Sequence, residues 1–279
     1  MGEIAFLKMH GLGNDFVVLD ARRGAITLGA KEARALADRH TGIGCDQVIL
    51  LEPPAHPRAQ LAMRIRNPDG SEAEACGNGT RCIAWLAARE TGEQRVRIET
   101  AAGLLEAEMQ PDGRVAVDMV EARTLWREIP LARPSDTDRL DLRLGPLALP
   151  ACTNIGNPHA TFFVDEVDAI DLAGLGPALE HDPMFPERAN IGIAAVRDPR
   201  HLRLRVWERG AGITRACGSG ACAAVVAASR RGLAERRAEV MLDGGALDIL
   251  WREDRHVVMT GPAALSFEGS FDSQLLAGG

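Results

Sequence analysis

Two cysteines stand in matched settings: Ala75-Cys76-Gly77-Asn78-Gly79 recurs as Ala216-Cys217-Gly218-Ser219-Gly220, and each copy opens a long apolar stretch that reads as a helix. The thiolate is the reactive form of cysteine, and a helix N-terminus favours it through free backbone N–H groups and the positive end of the dipole. A pair of equivalent acid/base groups is what a reaction needs when it takes a proton from one side of a carbon and returns one to the other. That reaction is racemisation or epimerisation. The glycines let an anion approach the backbone, so a substrate α-carboxylate held by Gly77, Asn78, Gly218 and Ser219 would set its α-carbon between the thiols. Those donors would stabilise the carbanion-like transition state more than the ground state. One cysteine must start as thiolate and the other as thiol, which predicts a bell-shaped pH–rate profile. Cys45, Cys82, Cys152 and Cys222 lack this context and read as buried small hydrophobes. A dithiol redox role for Cys76 and Cys217 would require their Cα atoms within roughly 7 Å.

The elements that position the thiols are also repeated. Gly79 to Thr91 ends at Gly92, and Gly220 to Arg231 ends at Gly232, with arginines in the last turn and glycine as the C-terminal cap. Both stretches are apolar nearly all round, so each helix should be enclosed on every side. A helix wrapped by its own sheet answers this most simply; two buried helices in a layered domain are the alternative. Asn14 and Asn157 stand 143 residues apart, as do Gln47 and Asn190, whereas Asn67 and Glu208, like Cys76 and Cys217, stand 141 apart. Four polar positions in one order fit two copies of one supersecondary unit. The reading is an α+β chain of two pseudo-symmetric lobes from an internal duplication, each a mixed sheet or barrel around a central helix. Residues 1–121 form the lobe carrying Cys76, completed by 266–279, and residues 122–265 form the lobe carrying Cys217. The stretch between Glu121 and Asp141, with Pro130, Pro134 and Ser135-Asp136-Thr137-Asp138, suits a crossover or surface loop.

Composition narrows the function classes. A formal charge of -7 argues against nonspecific nucleic-acid binding. No segment approaches the roughly 18 to 20 uninterrupted apolar residues of a membrane span. Met1 to His10 lacks a leader pattern, so the expectation is a cytoplasmic protein. Lys8 and Lys31 are the two lysines, which leaves almost no Schiff-base nucleophile and points to cofactor-free chemistry. The cysteine spacings suit neither a disulfide framework nor a zinc site, so no metal is expected.

Asn67-Pro68-Asp69-Gly70-Ser71 followed after four residues by Cys76-Gly77-Asn78-Gly79-Thr80-Arg81 closely resembles the signature of the diaminopimelate epimerase family. So do His10-Gly11-Leu12-Gly13-Asn14-Asp15-Phe16 and the run Glu208-Arg209-Gly210-Ala211-Gly212-Ile213-Thr214-Arg215-Ala216-Cys217. The resemblance implies a cofactor-independent isomerase interconverting LL- and meso-2,6-diaminopimelate for lysine and peptidoglycan precursors, and a homodimer. It carries substrate-binding roles to Asn14, Gln47, Asn67, Asn157, Asn190, Glu208 and Arg209, and thiol-tuning roles to His159 and Glu208. Their chemistry suits a substrate with a second, unreactive amino-acid end: Arg209 offers a fork to a carboxylate, Glu208 a partner to an ammonium, and the amides give directional hydrogen bonds. The rivals are a proline or hydroxyproline racemase-like enzyme, which would not need Asn67, Asn190 and Arg209 together, and a non-catalytic amino-acid-binding protein, which would not need two equivalent thiols.

Overall fold

The computed structural model describes residues 2–24, 26–73 and 76–277. Met1 of the N-terminal stretch, Ala75 of the first pentapeptide and Gly278 and Gly279 of the C-terminal segment lie outside them. The chain forms two compact units, Met1–Val117 with Gly261–Gly279, and Asp118–Thr260.

The first unit runs through β1 (Glu3–Gly11), β2 (Asn14–Asp20), α1 (Ala30–Ala37), β3 (Gln47–Glu52), β4 (Leu61–Arg66), β5 (Glu72–Ala73), α2 (Gly77–Thr91), β6 (Arg95–Thr100), β7 (Gly103–Met109) and the start of β8 (Val115–Glu121). β1 and β2 are antiparallel, β2 and β3 parallel, β3 and β4 antiparallel, β4 and β6 parallel, and β6 and β7 antiparallel. The returning strand Ala264–Asp272 lies antiparallel to β1. Strand β3, Gln-Val-Ile-Leu-Leu-Glu, is buried over its four central residues, as expected of a β-branched and apolar run covered on both faces. Helix α1 buries Ala33 and Leu36 against Val17, Leu19, Val48 and Leu50.

The second unit repeats this order with β9 (Arg143–Leu144), β10 (Leu147–Ala148), β11 (Ala151–Asn154), β12 (Pro158–Phe163), α3 (Leu172–Glu180), β13 (Asn190–Asp198), β14 (His201–Glu208), β15 (Gly212–Thr214), α4 (Gly218–Arg230), β16 (Arg237–Leu242), β17 (Gly245–Trp251) and β18 (His256–Gly261). β11 to β14, β16 and β17 pair in the same alternation as β1 to β4, β6 and β7. Register is copied too: Phe16 faces Gln47 where His159 faces Asn190, and Val48 faces Arg66 where Ile191 faces Trp207. The second pair of matches changes the spacing from 143 to 141 residues, so the two-residue difference falls in the β3–β4 connection. That connection is longer than the turn joining β13 to β14.

Two sequence-based details differ. Both helices start earlier, at Gly77 and Gly218, because the cysteine itself is the N-cap. The stretch after Glu121 is irregular but is no surface loop: Ile129, Leu131 and Leu140 are buried with Phe162, Ile191 and Leu172 in the core of the second unit. Their apolar side chains outweigh the turn-forming prolines beside them.

Each central helix is enclosed by its own unit. Helix α2 ends at Gly92, whose φ of 77° is the left-handed cap geometry that glycine adopts without strain. In α4, residues 221–228 are each at most 1% exposed, and five of those eight are alanine, which leaves no room for a longer side chain. An Ala224→Leu substitution therefore forces extra methylenes into close packing and should lower unfolding stability by about 1–3 kcal/mol, read from the urea midpoint at unchanged m-value.

Candidate active site

All the candidate side chains of a unit gather at one end of its sheet, beside the N-terminus of its central helix. Parallel strands β2 and β3 begin there, at Asn14 and Gln47, and antiparallel β4 ends there, one residue before Asn67. In the second unit β13 begins at Asn190 and β14 ends at Glu208. Strand polarity thus brings residues far apart in sequence to the end of the helix where backbone N–H groups lack intrahelical partners.

In the first unit Cys76 is the N-cap of α2, and its Sγ accepts from the Gly79 N–H at 3.5 Å. The same sulfur lies 3.8 Å from Asn14 Oδ1, to which the thiol donates. Asn78 Nδ2 also donates to Asn14 Oδ1, at 3.0 Å. Gly79 keeps the approach to the helix open, since a Cβ there would stand 3.0 Å from Ile49 Cδ1 and crowd it. A second group lies on the neighbouring strands: Gln47 Nε2 donates to Asn67 Oδ1 at 2.9 Å, and Asn67 Nδ2 donates to Ser71 Oγ at 3.0 Å. Gln47 Oε1 is buried with no hydrogen-bond partner, a condition that a donor-bearing ligand would relieve.

In the second unit Cys217 is the N-cap of α4, with Ser219 Oγ 3.7 Å from its sulfur. Burial and the neighbouring Glu208 carboxylate push the Cys217 thiol well above its ordinary range. The helix N-terminus alone would favour the thiolate, but desolvation of the charge outweighs it at this buried position. His159 Nε2 lies 2.8 Å from Asn157 Oδ1 and 3.1 Å from Ser219 Oγ. An amide oxygen only accepts, so the contact assigns the proton to Nε2 of a neutral ring. Burial, with a smaller contribution from Arg209, lowers the His159 pKa to about 3. Asn190 donates to the Pro158 carbonyl at 3.0 Å and accepts from the Arg209 N–H at 2.9 Å. Thr214 Oγ1 donates to Glu208 Oε1. The Arg209 guanidinium is exposed and donates to the Glu187 carbonyl at 2.9 Å.

The structure therefore joins Asn14, Cys76 and Asn78 in one cluster, Gln47 and Asn67 in another, and Asn157, His159, Asn190, Cys217 and Ser219 in a third. Gly77 and Gly218 are the first residues of the two helices. Sequence reading did not single out three residues that hold these groups. Asp46 Oδ2 accepts from Asn14 Nδ2 at 3.0 Å, and fully buried Arg81 donates to Asn78 Oδ1 at 2.8 Å. Glu180, buried at the end of α3, accepts from Trp207 Nε1 at 2.7 Å and from the Gly210 N–H at 3.0 Å, bracing the turn that carries Glu208 and Arg209. Asp46 and Arg81 lie inside recognisable motifs, but nothing in the pattern says that they face an amide. Among the described residues there is no cluster of metal-ligating side chains, and no helix is long and apolar enough to cross a membrane.

Two cysteine-capped helices in a duplicated mixed-sheet fold define an isomerase of the racemase and epimerase class. A family model for diaminopimelate epimerase matches residues 6–125 and 151–266. The chain belongs to the diaminopimelate epimerase family. The diaminopimelate epimerase of Rhodospirillum centenum is 60% identical over 273 residues, covering 98% of this chain and 94% of that one. That of Acidiphilium cryptum is 57% identical, covering 98% of each. Among solved structures, a hydroxyproline epimerase from Agrobacterium vitis, determined with bound trans-4-hydroxy-L-proline, has a TM-score of 0.70 at 16% identity over 98% of this chain and 94% of that one. A phenazine biosynthesis protein from Bacillus anthracis has a TM-score of 0.68 at 16% identity over 98% and 100%. At such identities these structures share the fold.

Burial of neutral His159 links stability to pH. The unfolded ring protonates near 6.5 and the folded ring only near 3, so its contribution is complete above pH 6.5 and is lost as pH falls through that window. Between pH 7 and pH 5 the protein should lose about 2 kcal/mol more unfolding free energy than a His159→Gln variant, whose slope lacks this ring. Urea unfolding of both at pH 7, 6 and 5 measures the difference, and parallel curves would contradict it.

Proposed function

We propose that the protein interconverts LL- and meso-2,6-diaminopimelate by two-base proton transfer, with no cofactor, in the synthesis of lysine and peptidoglycan precursors. The observation that carries the reading is that both repeat units place a cysteine as the N-cap of an enclosed helix, in a chain of this family. For LL to meso, Cys217 takes the α-proton as thiolate, its own proton having passed to Glu208. The electron pair left on the α-carbon is delocalised into the α-carboxylate, whose added charge meets the N–H donors of Gly77, Asn78, Gly218 and Ser219. Cys76 then delivers its thiol proton to the opposite face, and the reverse reaction exchanges the two roles. Asn14, Gln47, Asn67, Asn157, Asn190 and Arg209 hold the amino-acid end that does not react. Buried Gln47 Oε1 suits an ammonium donor, and one edge of the Arg209 guanidinium remains for a carboxylate beside its bond to Glu187. His159, kept neutral and held by Asn157, tunes the thiol through Ser219, which stands between the ring and Cys217. The working form is a cytoplasmic homodimer.

Incubation of the reduced protein with LL-diaminopimelate in deuterium oxide should place one deuteron on an α-carbon and yield the meso isomer, followed by mass spectrometry and chiral chromatography. Unchanged substrate with folded, reduced protein would remove the assignment. Cys76→Ala and Cys217→Ala should each lower turnover at least about a hundredfold. trans-4-Hydroxy-L-proline, the ligand of the Agrobacterium vitis neighbour, should not be epimerised. Light scattering should return about twice the 29.9 kDa of the chain.

A further inference from the structure

The two amides beside Cys76 have a fixed direction. A carboxylate can only accept hydrogen bonds, so Asp46 Oδ2, which takes Asn14 Nδ2 at 3.0 Å and the Asp15 N–H at 3.1 Å, requires the NH2 of Asn14 to face it. A guanidinium can only donate, so Arg81, which gives Nη2 to Asn78 Oδ1 at 2.8 Å, requires the NH2 of Asn78 to face the other way, toward Asn14. Between these two charges the series has one polarity, from Arg81 through Asn78 and Asn14 to Asp46. Its consequence is that the carbonyl oxygen of Asn14 is turned to Cys76 Sγ.

Each end of the series is itself held. Arg81 is fully buried, its Nε donating to the Pro262 carbonyl at 3.2 Å, and a Cβ at Gly11 would stand 2.9 Å from its Nη2. Asp46 pairs with Arg39 at 2.8 Å, and Arg39 and Lys8 both pair with Asp15, at 2.7 and 2.6 Å. Burial raises Asp15, but those two cations hold it down to about 2, so it stays ionised. The second copy has no such end posts: by the repeat spacing, Asp46 corresponds to Ala189, Arg81 to Cys222 and Lys8 to Ala151. Asn157 and Ser219 there meet through His159.

Resting on the two-base reading, we infer that Asp46 and Arg81 are positioning residues that lock the Asn14 and Asn78 amides so that a carbonyl oxygen faces Cys76 and holds the proton on that sulfur. An accepting oxygen beside the sulfur stabilises S–H and opposes the thiolate. The charged groups that meet the series are Arg81 on α2 and Asp46 before β3, with Arg39 and Lys8 behind Asp46 and Asp15, and the buried Cys82 thiol interacts with both Arg81 and Cys76. Lys8 and Arg39 are together balanced by Asp15 and Asp46.

The test reads the thiols directly and needs no substrate. Iodoacetamide labelling of Cys76 and Cys217 is followed at pH 7 by peptide mass spectrometry in the native protein, Asp46→Asn, Asp46→Ser and Asp15→Asn, with folding checked by circular dichroism. Once Asp46 no longer holds the Asn14 NH2, the Asn14 carbonyl is no longer fixed against the sulfur, and Cys76 labelling should rise about tenfold in both Asp46 variants. Cys217 labelling, and Cys76 labelling in Asp15→Asn, should stay within about twofold. Unchanged Cys76 labelling in a folded Asp46 variant overturns the inference. An equal rise in Asp15→Asn, which removes one negative charge without touching the amide, also overturns it, and so does an equal rise at Cys217. An inactive native protein in the deuterium assay would remove the two-base reading instead, whatever the labelling pattern.

Discussion

A helix leaves its first N–H groups without intrahelical partners, and in each unit that bare end lies at the edge of a surrounding sheet with a cysteine as its N-cap. Most other features follow from enclosing the helix. The helix itself carries small residues where strands approach: a Cβ at Gly79 or Gly220 would stand 3.0 Å from Ile49 Cδ1 or Val206 Cγ2. The sheet must be mixed, since strands that begin and strands that end beside the helix N-terminus together bring Asn14, Gln47 and Asn67, or Asn157, Asn190 and Glu208, to the same place. Exposed elsewhere, these polar residues would be turn formers; at this end of the sheet they form hydrogen-bonded sets.

The duplication copied backbone more faithfully than side chains. The parallel register that faces Phe16 with Gln47 also faces His159 with Asn190, so the imidazole occupies a position that in the first unit is a core aromatic. That exchange accompanies a shorter neighbour: where Asn78 reaches Asn14 directly, Ser219 leaves room for a ring between itself and Asn157. One scaffold thus carries two electrostatic settings, ionic around the first cysteine and neutral imidazole plus a single carboxylate around the second.

Much of this was legible in the sequence because repetition is a pattern that needs no energetics. The equal spacings of Asn14/Asn157 and Gln47/Asn190, and the glycine-rich cysteine motifs, gave the two mixed-sheet lobes and the central helices. What the pattern could not supply was the balance of opposing terms. The helix end argues for a reactive thiolate at Cys217, but whether burial reverses it depends on how deeply the chain covers that sulfur, a tertiary quantity. The prolines after Glu121 suit a surface loop, and Ile129, Leu131 and Leu140 override them only because a core exists for them to enter. Asp46, Arg81 and Glu180 were invisible for a related reason: a charge in a motif looks the same whether it faces water or the end of an amide.

Under the two-base reading, the asymmetry decides how one proton is shared between the thiols. Two identical thiols in identical settings would share the same proton affinity, so the enzyme form with one proton between them would be split evenly between two arrangements, each competent in one direction. A difference of one pKa unit, about 1.4 kcal/mol, shifts that division to about ten to one. Hydrogen bonds to charged groups are worth about that much each, so a few substitutions on one copy suffice and the fold need not change. The substitutions fall at Asp46 and Arg81 against Ala189 and Cys222, and at Phe16 against His159; Asp46, Arg81 and His159 touch Asn14, Asn78 and Ser219, the neighbours of the sulfurs, and the cysteine-capped helices stay alike.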